Sequence, residues 1–60
     1  MYLFELSDIV RKVDSVREGS ISKRFLLNNL PLYCVEYGSG NHEWVRTEHL
    51  LLVAVEVTLL

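Results

Sequence analysis

Three shortages narrow the reading at once: there is one cysteine, no excess of basic residues and no apolar run of membrane-spanning length. A lone Cys34 cannot close an intramolecular disulfide, which excludes the disulfide frameworks that stabilise many small domains. Six Lys and Arg against eight Asp and Glu give a net charge of −2, which argues against a globally basic nucleic-acid binder. The most apolar stretch, Leu50–Leu60, is eleven residues long and interrupted by Glu56 and Thr58. A transmembrane helix needs about 20 apolar residues. The N-terminus lacks the basic-then-apolar order of a targeting segment. Internal repeats, linkers and low-complexity tracts are also missing. The expectation is a soluble, cytoplasmic chain with no membrane partner, and the free thiol fits a reducing compartment.

What is present is apolar. Half of the 60 residues are hydrophobic, which favours a folded globule over disorder. The length suits one small domain spanning 1–60. A domain of this size buries only about 60% of the surface its unfolded chain exposes. It therefore needs a staple, and self-association is the one the composition leaves available.

Along the chain, Leu6, Ile9, Val10, Val13 and Val16 recur at steps of three and four, a spacing that predicts a helix over Leu6–Glu18. Ser7 is its expected N-cap and Gly19 its stop. Met1–Glu5 is ambiguous between a short strand and an early helical turn. A second short helix is expected over Ser22–Leu27, closed by Asn28-Asn29 before Pro31. Beyond Pro31 the period changes to two. Leu32–Tyr37 and His42–Thr47 read as a hairpin around Gly38-Ser39-Gly40-Asn41. A four-residue loop there pairs Val35 with Trp44 and Tyr33 with Arg46, gathering aromatics on one face. The same register sets Glu36 against Glu43, and a one-residue slip relieves that repulsion, so the register stays open. Val53, Val55, Val57 and Leu59 alternate along a last, β-branched strand. The expected fold class is therefore α+β: one or two short N-terminal helices, within about 6–29, packed on a three-stranded antiparallel β-meander within about 31–60.

Few residues offer chemistry. Cys34, His42 and His49, with Glu43 as a spare, lack the close paired ligands of zinc sites, and no metal or cofactor is expected. Cys34 lies between Tyr33 and Val35, the setting of a small buried hydrophobe and not of an activated thiolate. Glu36 and Glu43 could face each other as paired carboxylates, but so short a chain offers little for a deep pocket. Gly-Ser-Gly is followed by neither Lys nor a helix, so it is no phosphate fingerprint. No catalytic residue is assigned, and a non-enzymatic role is expected.

Charge distribution says more. Residues 9–24 carry five positive and two negative charges, whereas 25–60 carry one positive and four negative. One use of the basic segment is a helix-turn-helix over 9–27, with Lys23 and Arg24 on phosphates and Ser20 or Ser22 near bases. The other reading is a solvated face, and the acidic balance favours it. Tyr33, Tyr37, Trp44 and Arg46, with Glu43, make the expected partner-binding surface, since Tyr, Trp and Arg dominate interface hot spots. Val53, Val55, Val57 and Leu59 make the expected self-association surface. The functional expectation is a small protein-binding modulator or inhibitor, similar in size and character to phage and plasmid accessory proteins. It would act as a homo-oligomer, a dimer above all, by occluding a partner with a basic surface. The alternatives are the helix-turn-helix regulator and a small-ligand sequestering oligomer.

Overall fold

Two pairs of adjacent residues with positive φ shape this molecule: Asn28 (50°) with Asn29 (68°), and Ser39 (54°) with Gly40 (78°). Positive φ at both central positions is the type I′ turn, whose twist matches that of paired strands. Asn tolerates this region because its short polar side chain bonds locally. Each pair therefore reverses the chain into a hairpin. The computed structural model describes residues 1–55 and shows one five-stranded antiparallel sheet. The strands are β1 (Ile9–Lys12), β2 (Glu18–Leu27), β3 (Leu30–Gly38), β4 (Asn41–Arg46) and β5 (Leu50–Ala54). A single 3-10 turn, Thr47–His49, joins β4 to β5. The spatial order is β4-β3-β2-β1-β5.

This architecture corrects the α+β expectation, since no α-helix occurs among the described residues. The expected helix over Leu6–Glu18 is instead a tight turn, the short strand β1 and a loop. Its β-branched Ile9, Val10, Val13 and Val16 have weak helix propensity, and the sheet takes Ile9 and Val10. Ser7, the expected N-cap, sits at φ 73°. The next residue, Asp8, is buried; its Oδ2 accepts the Glu5 N–H at 2.9 Å and its carbonyl accepts the Ile21 N–H at 3.0 Å. A polar side chain that satisfies backbone locally competes with helix, and here the turn wins. The expected second helix, Ser22–Leu27, is the far half of β2. A bulge between Ile21 and Lys23 places Ser22 and Lys23 together opposite Cys34, which breaks the alternation that would have marked the strand. Asn28-Asn29 does end that segment, but as a hairpin turn. Met1–Glu5 forms neither strand nor helix, although Phe4 enters the core.

Beyond Pro31, β3 and β4 stand where the alternation put them. β5 begins earlier than the expected last strand and ends at Ala54, so that of Val53, Val55, Val57 and Leu59 only Val53 lies in it. The partnering differs too. The meander is β2-β3-β4, and β5 pairs with β1, not with β4. The β3–β4 register sets Tyr33 against Val45, Cys34 against Trp44 and Val35 against Glu43. This is the one-residue slip, and Glu36 now faces His42. Val57 and Leu59 lie outside the described residues.

The core forms on one side of the curled sheet from Val10, Ile21, Tyr33, Val35, Val45 and Leu50, with Phe4 laid across them. Tyr33 is its centre. Phe4 and Tyr2 meet the Tyr33 ring edge-on at centroid distances of 5.1 and 6.0 Å. The Tyr33 hydroxyl accepts the Leu3 N–H at 2.8 Å and the Phe4 N–H at 3.3 Å. One buried phenol thus ties the irregular N-terminal segment to the middle of the sheet.

Candidate functional site

The register decides which expected contact residues share a face. Cross-strand partners point to the same side of a sheet, and a slip of one residue moves a strand's whole side-chain set across it. Tyr33, paired with Val45, is therefore inside and fully buried. Trp44, paired with Cys34, is on the opposite, outer face and 47% exposed. Arg46 lies beyond it, beside Leu32, which in turn pairs with Phe25. The outer face thus presents Phe25, Leu32, Trp44, Lys23 and Arg46 over the buried Cys34. Phe25 was missed as a contact residue because its segment read as helix. Arg46 also pairs with Glu48 at 3.5 Å.

Tyr37 and Glu43 belong to a separate cluster at the end of the sheet nearer the Ser39-Gly40 turn. The Tyr37 hydroxyl donates to Glu43 Oε1 at 2.7 Å, and Lys12 Nζ approaches the same oxygen at 3.4 Å. The Arg17 guanidinium stacks over the Tyr37 ring at 4.4 Å. Lys12 is on β1 and Glu43 on β4, strands separated by two others in the sheet, so this ion pair spans the curl. Burial, with the hydrogen bond to Glu43 and its charge, pushes the Tyr37 phenol up to about 12, against an opposing effect of Arg17. The same hydrogen bond lowers the Glu43 carboxyl, with Lys12 and Arg17 adding to it and burial opposing. The tyrosine ring also fills the space above Gly19, where an added Cβ would lie 3.0 Å from Tyr37 Cδ1.

The four residues of the helix-turn-helix expectation sit on one strand, and the helices that reading required are not formed. Ser20 and Lys23 lie on β2, Ser22 Oγ donates to the Cys34 carbonyl at 3.2 Å, and Arg24 turns inward. Arg24 stacks over Tyr2 at 4.5 Å and its Nη1 reaches the Phe4 carbonyl and Glu5 Oε2, each at 3.3 Å. Cys34, His42 and His49 do not converge. His42 Nδ1 lies 3.2 Å from the Gly40 carbonyl at the turn, while His49 is in the 3-10 turn. Among the described residues no three His, Cys, Asp or Glu side chains cluster to hold a metal.

Two apolar surfaces remain. On β5 and just after it, Leu51, Leu52, Val53 and Val55 are all 40% exposed or more. At the β2–β3 tip, Phe25, Leu26, Leu27 and Leu30 are likewise 41–52% exposed. No helix among the described residues is long and apolar enough to cross a membrane. No protein family, curated protein or solved structure matches the chain.

Proposed function

We propose that the chain is a non-enzymatic protein-binding module that works as a homo-oligomer and occludes the surface of a larger partner. One observation carries the reading: among the described residues, eight hydrophobic side chains are buried and fourteen large ones are exposed. A monomer with more large apolar groups outside than inside is an incomplete structure, and contiguous exposed patches mark interaction surfaces. Self-association is assigned to β5. The Val13 N–H donates to the His49 carbonyl at 3.0 Å, and the Leu50 N–H turns back to Thr47. Antiparallel pairs alternate between bonded and non-bonded, so the Leu52 peptide groups point away from β1 to the open edge. That edge is uncharged from Leu50 through Val55, the composition that invites a second strand. The outer-face group of Trp44, Phe25, Leu32 and Arg46 supplies the partner contact, aromatic and arginine side chains being the types that dominate interface hot spots. The buried free thiol of Cys34 suits a cytoplasmic setting.

The test is light-scattering mass of the purified chain across a dilution series at physiological salt, with Val53→Lys alongside. The expected result is a mass of two or more chains, dissociating on dilution, and a shift to monomer in the variant. A folded wild-type monomer at every concentration would refute the oligomeric reading.

A further inference from the structure

Residues 1–6 lie across the inner side of the sheet without belonging to it. They pair with no strand, yet Phe4 is in the core and Tyr2 packs against it, while Met1, Leu3 and Leu6 are exposed. Two cross-strand neighbours, Arg24 on β2 and Tyr33 on β3, form the cradle beneath them. The Tyr33 ring meets Tyr2 and Phe4 edge-on, and its hydroxyl accepts the Leu3 and Phe4 N–H groups. Arg24 stacks on Tyr2, and its Nη1 reaches both the Phe4 carbonyl and the Glu5 carboxylate. Among the described residues, every hydrogen bond from the sheet to residues 1–6 comes from these two side chains. An extended peptide is held in a groove in the same manner: backbone groups supply the hold and side chains at alternate positions supply the selectivity.

The segment ends at a strained hinge. Ser7 holds φ at 73°, a left-handed conformation that is costly for a residue with a Cβ, and strain of this kind gathers at clamps and switches. The Ser7 N–H bonds the Ile21 carbonyl at 2.8 Å and Asp8 is buried, so the chain is anchored from Ser7 onward and residues 1–6 are the part that can lift. Lifting relieves Ser7 but strips the Tyr33 hydroxyl of both donors and uncovers the core around Ile21 and Val45. A buried polar group without a partner costs its full desolvation. The groove therefore does not stand empty: residues 1–6 leave it in exchange for another segment that satisfies the same groups.

We infer that residues 1–5 are an internal ligand, and that the groove over Tyr33 and Arg24 takes an extended segment of a partner protein with the pattern aromatic, any residue, aromatic, acid. The two aromatics pack on Tyr33 and Arg24, the acid pairs with Arg24, and the partner backbone supplies the two N–H donors and the carbonyl. Covalent attachment gives the internal segment an effective concentration on the order of millimolar. A partner therefore binds weakly until Tyr2 and Phe4 are displaced, which makes residues 1–6 an autoinhibitory strap. The strap of a second copy makes the same contacts and no more, so nothing favours it over the tethered one, whereas a partner segment extends past both ends of the pattern. The groove is on the inner side of the sheet, apart from both the Trp44 face and the β5 edge, and does not rest on the roles given to those surfaces.

Native-state hydrogen exchange on the full chain, at one fixed concentration, measures the lifting without any variant. The Leu3 and Phe4 amides should exchange about a hundredfold faster than the slowest β2–β3 ladder amides, because they open locally and the ladder only globally. The peptide N-acetyl-Tyr-Leu-Phe-Glu-amide, at a concentration on the order of millimolar, should speed both amides further as it displaces the strap. The same peptide with Ala in place of Phe should not. Phe4→Ala weakens the strap, so the folded variant should bind the peptide about tenfold more tightly than the wild-type chain. If circular dichroism shows that variant unfolded, the peptide should restore its sheet. Protection of Leu3 and Phe4 equal to that of the ladder overturns the inference. Wild-type amides that ignore the peptide overturn it too, as does a variant that gains neither affinity nor fold from it. Exchange at these two amides that slows with chain concentration and ignores the peptide would put a second copy's strap in the groove, and counts against it equally. None of these outcomes bears on the mass measured in the dilution series, which tests β5 alone.

Discussion

Gly19 shows how much of this structure is decided at single positions. Sequence patterning reads it as the stop of a helix, yet it is buried inside β2, opposite Val10. Its conformation demands nothing special; the space around it does. A Cβ there would lie 2.7 Å from both the Glu36 carbonyl oxygen and Val35 Cγ1, distances at which the β3 backbone must move. Gly19→Ala should therefore destabilise the chain by about 1–3 kcal/mol, the usual cost of overpacking. That corresponds to a fall of roughly 4–8 °C in Tm per kcal/mol for so small a domain. A thermal melt at fixed chain concentration checks this, and an unchanged Tm would mean that β2 and β3 can separate locally at no cost. Tyr33 makes the complementary point. Tyr, Val and Tyr at 33, 35 and 37 are legible as one alternating face, but nothing local reveals that Tyr33 is the buried centre and Tyr37 a half-buried residue at the core's margin. That distinction comes from Phe4 and the Tyr33 hydroxyl's two backbone donors, some thirty positions away in sequence.

Among the elements, β3 and β4 are legible and β1 and β2 are not, and the reasons differ. From Leu32 to Thr47 the apolar alternation runs cleanly into a glycine-rich turn. In β2 the Ser22–Lys23 bulge shifts the phase halfway, leaving Ile21, Phe25, Leu26 and Leu27 at spacings that suit a helical face equally well. In β1 only four residues pair, too few to display a period. The slip in the β3–β4 register then has a large consequence for the site, since it parts Trp44 and Arg46 from Tyr37 and pairs Tyr37 with Glu43 instead. The second pair joins elements as a clasp: Arg17 from the β1–β2 loop, Tyr37 from β3, Glu43 from β4 and Lys12 from β1. The direction of its pH response follows from linkage. The Glu43 carboxyl is lowered in the fold, so its contribution is present above the ordinary carboxylate range and lost as pH falls through the folded value. The Tyr37 phenol is raised from 10.0 to about 12, so its contribution is present below 10 and is lost as pH climbs from there toward 12. Tyr37, Glu43 and Lys12 are half-buried and Arg17 is exposed, so solvent screening reduces both effects. Burial is the first cause of the raised Tyr37 phenol, and Glu43→Gln removes the carboxylate's added share. Ultraviolet titration should then show the Tyr37 phenol moving part of the way back toward 10. An unmoved titration would show that burial, not the clasp, sets its value.

At the scale of the whole molecule, the sheet has two ends of opposite character, and this decides what kind of assembly it can form. The pairing of β5 with β1 creates those ends, and no local pattern announces it, because the partners lie some forty residues apart. Among the described residues one end is β5, uncharged and open at Leu52. The other is β4, whose His42, Glu43 and Arg46 place ionisable groups along the edge, the usual guard against strand addition. Antiparallel pairing of β5 with its own copy is isologous: each strand uses the same surface, and the twofold closes. Both outer edges of the resulting ten-stranded sheet would be β4, and growth stops there. A chain with two unguarded edges would instead add copies head to tail without limit. Replacing the guards tests this directly while leaving the Glu43 clasp intact. The double variant His42→Val/Arg46→Val should keep the β5 association and gain a second, open-ended one. Its light-scattering mass should climb past two chains and continue rising with concentration, with increased β-sheet signal in the sedimenting fraction. If the variant instead keeps the wild-type mass at every concentration, the β4 charges are not what limits assembly. The limit would then have to come from the curl that the Lys12–Glu43 pair imposes on the sheet.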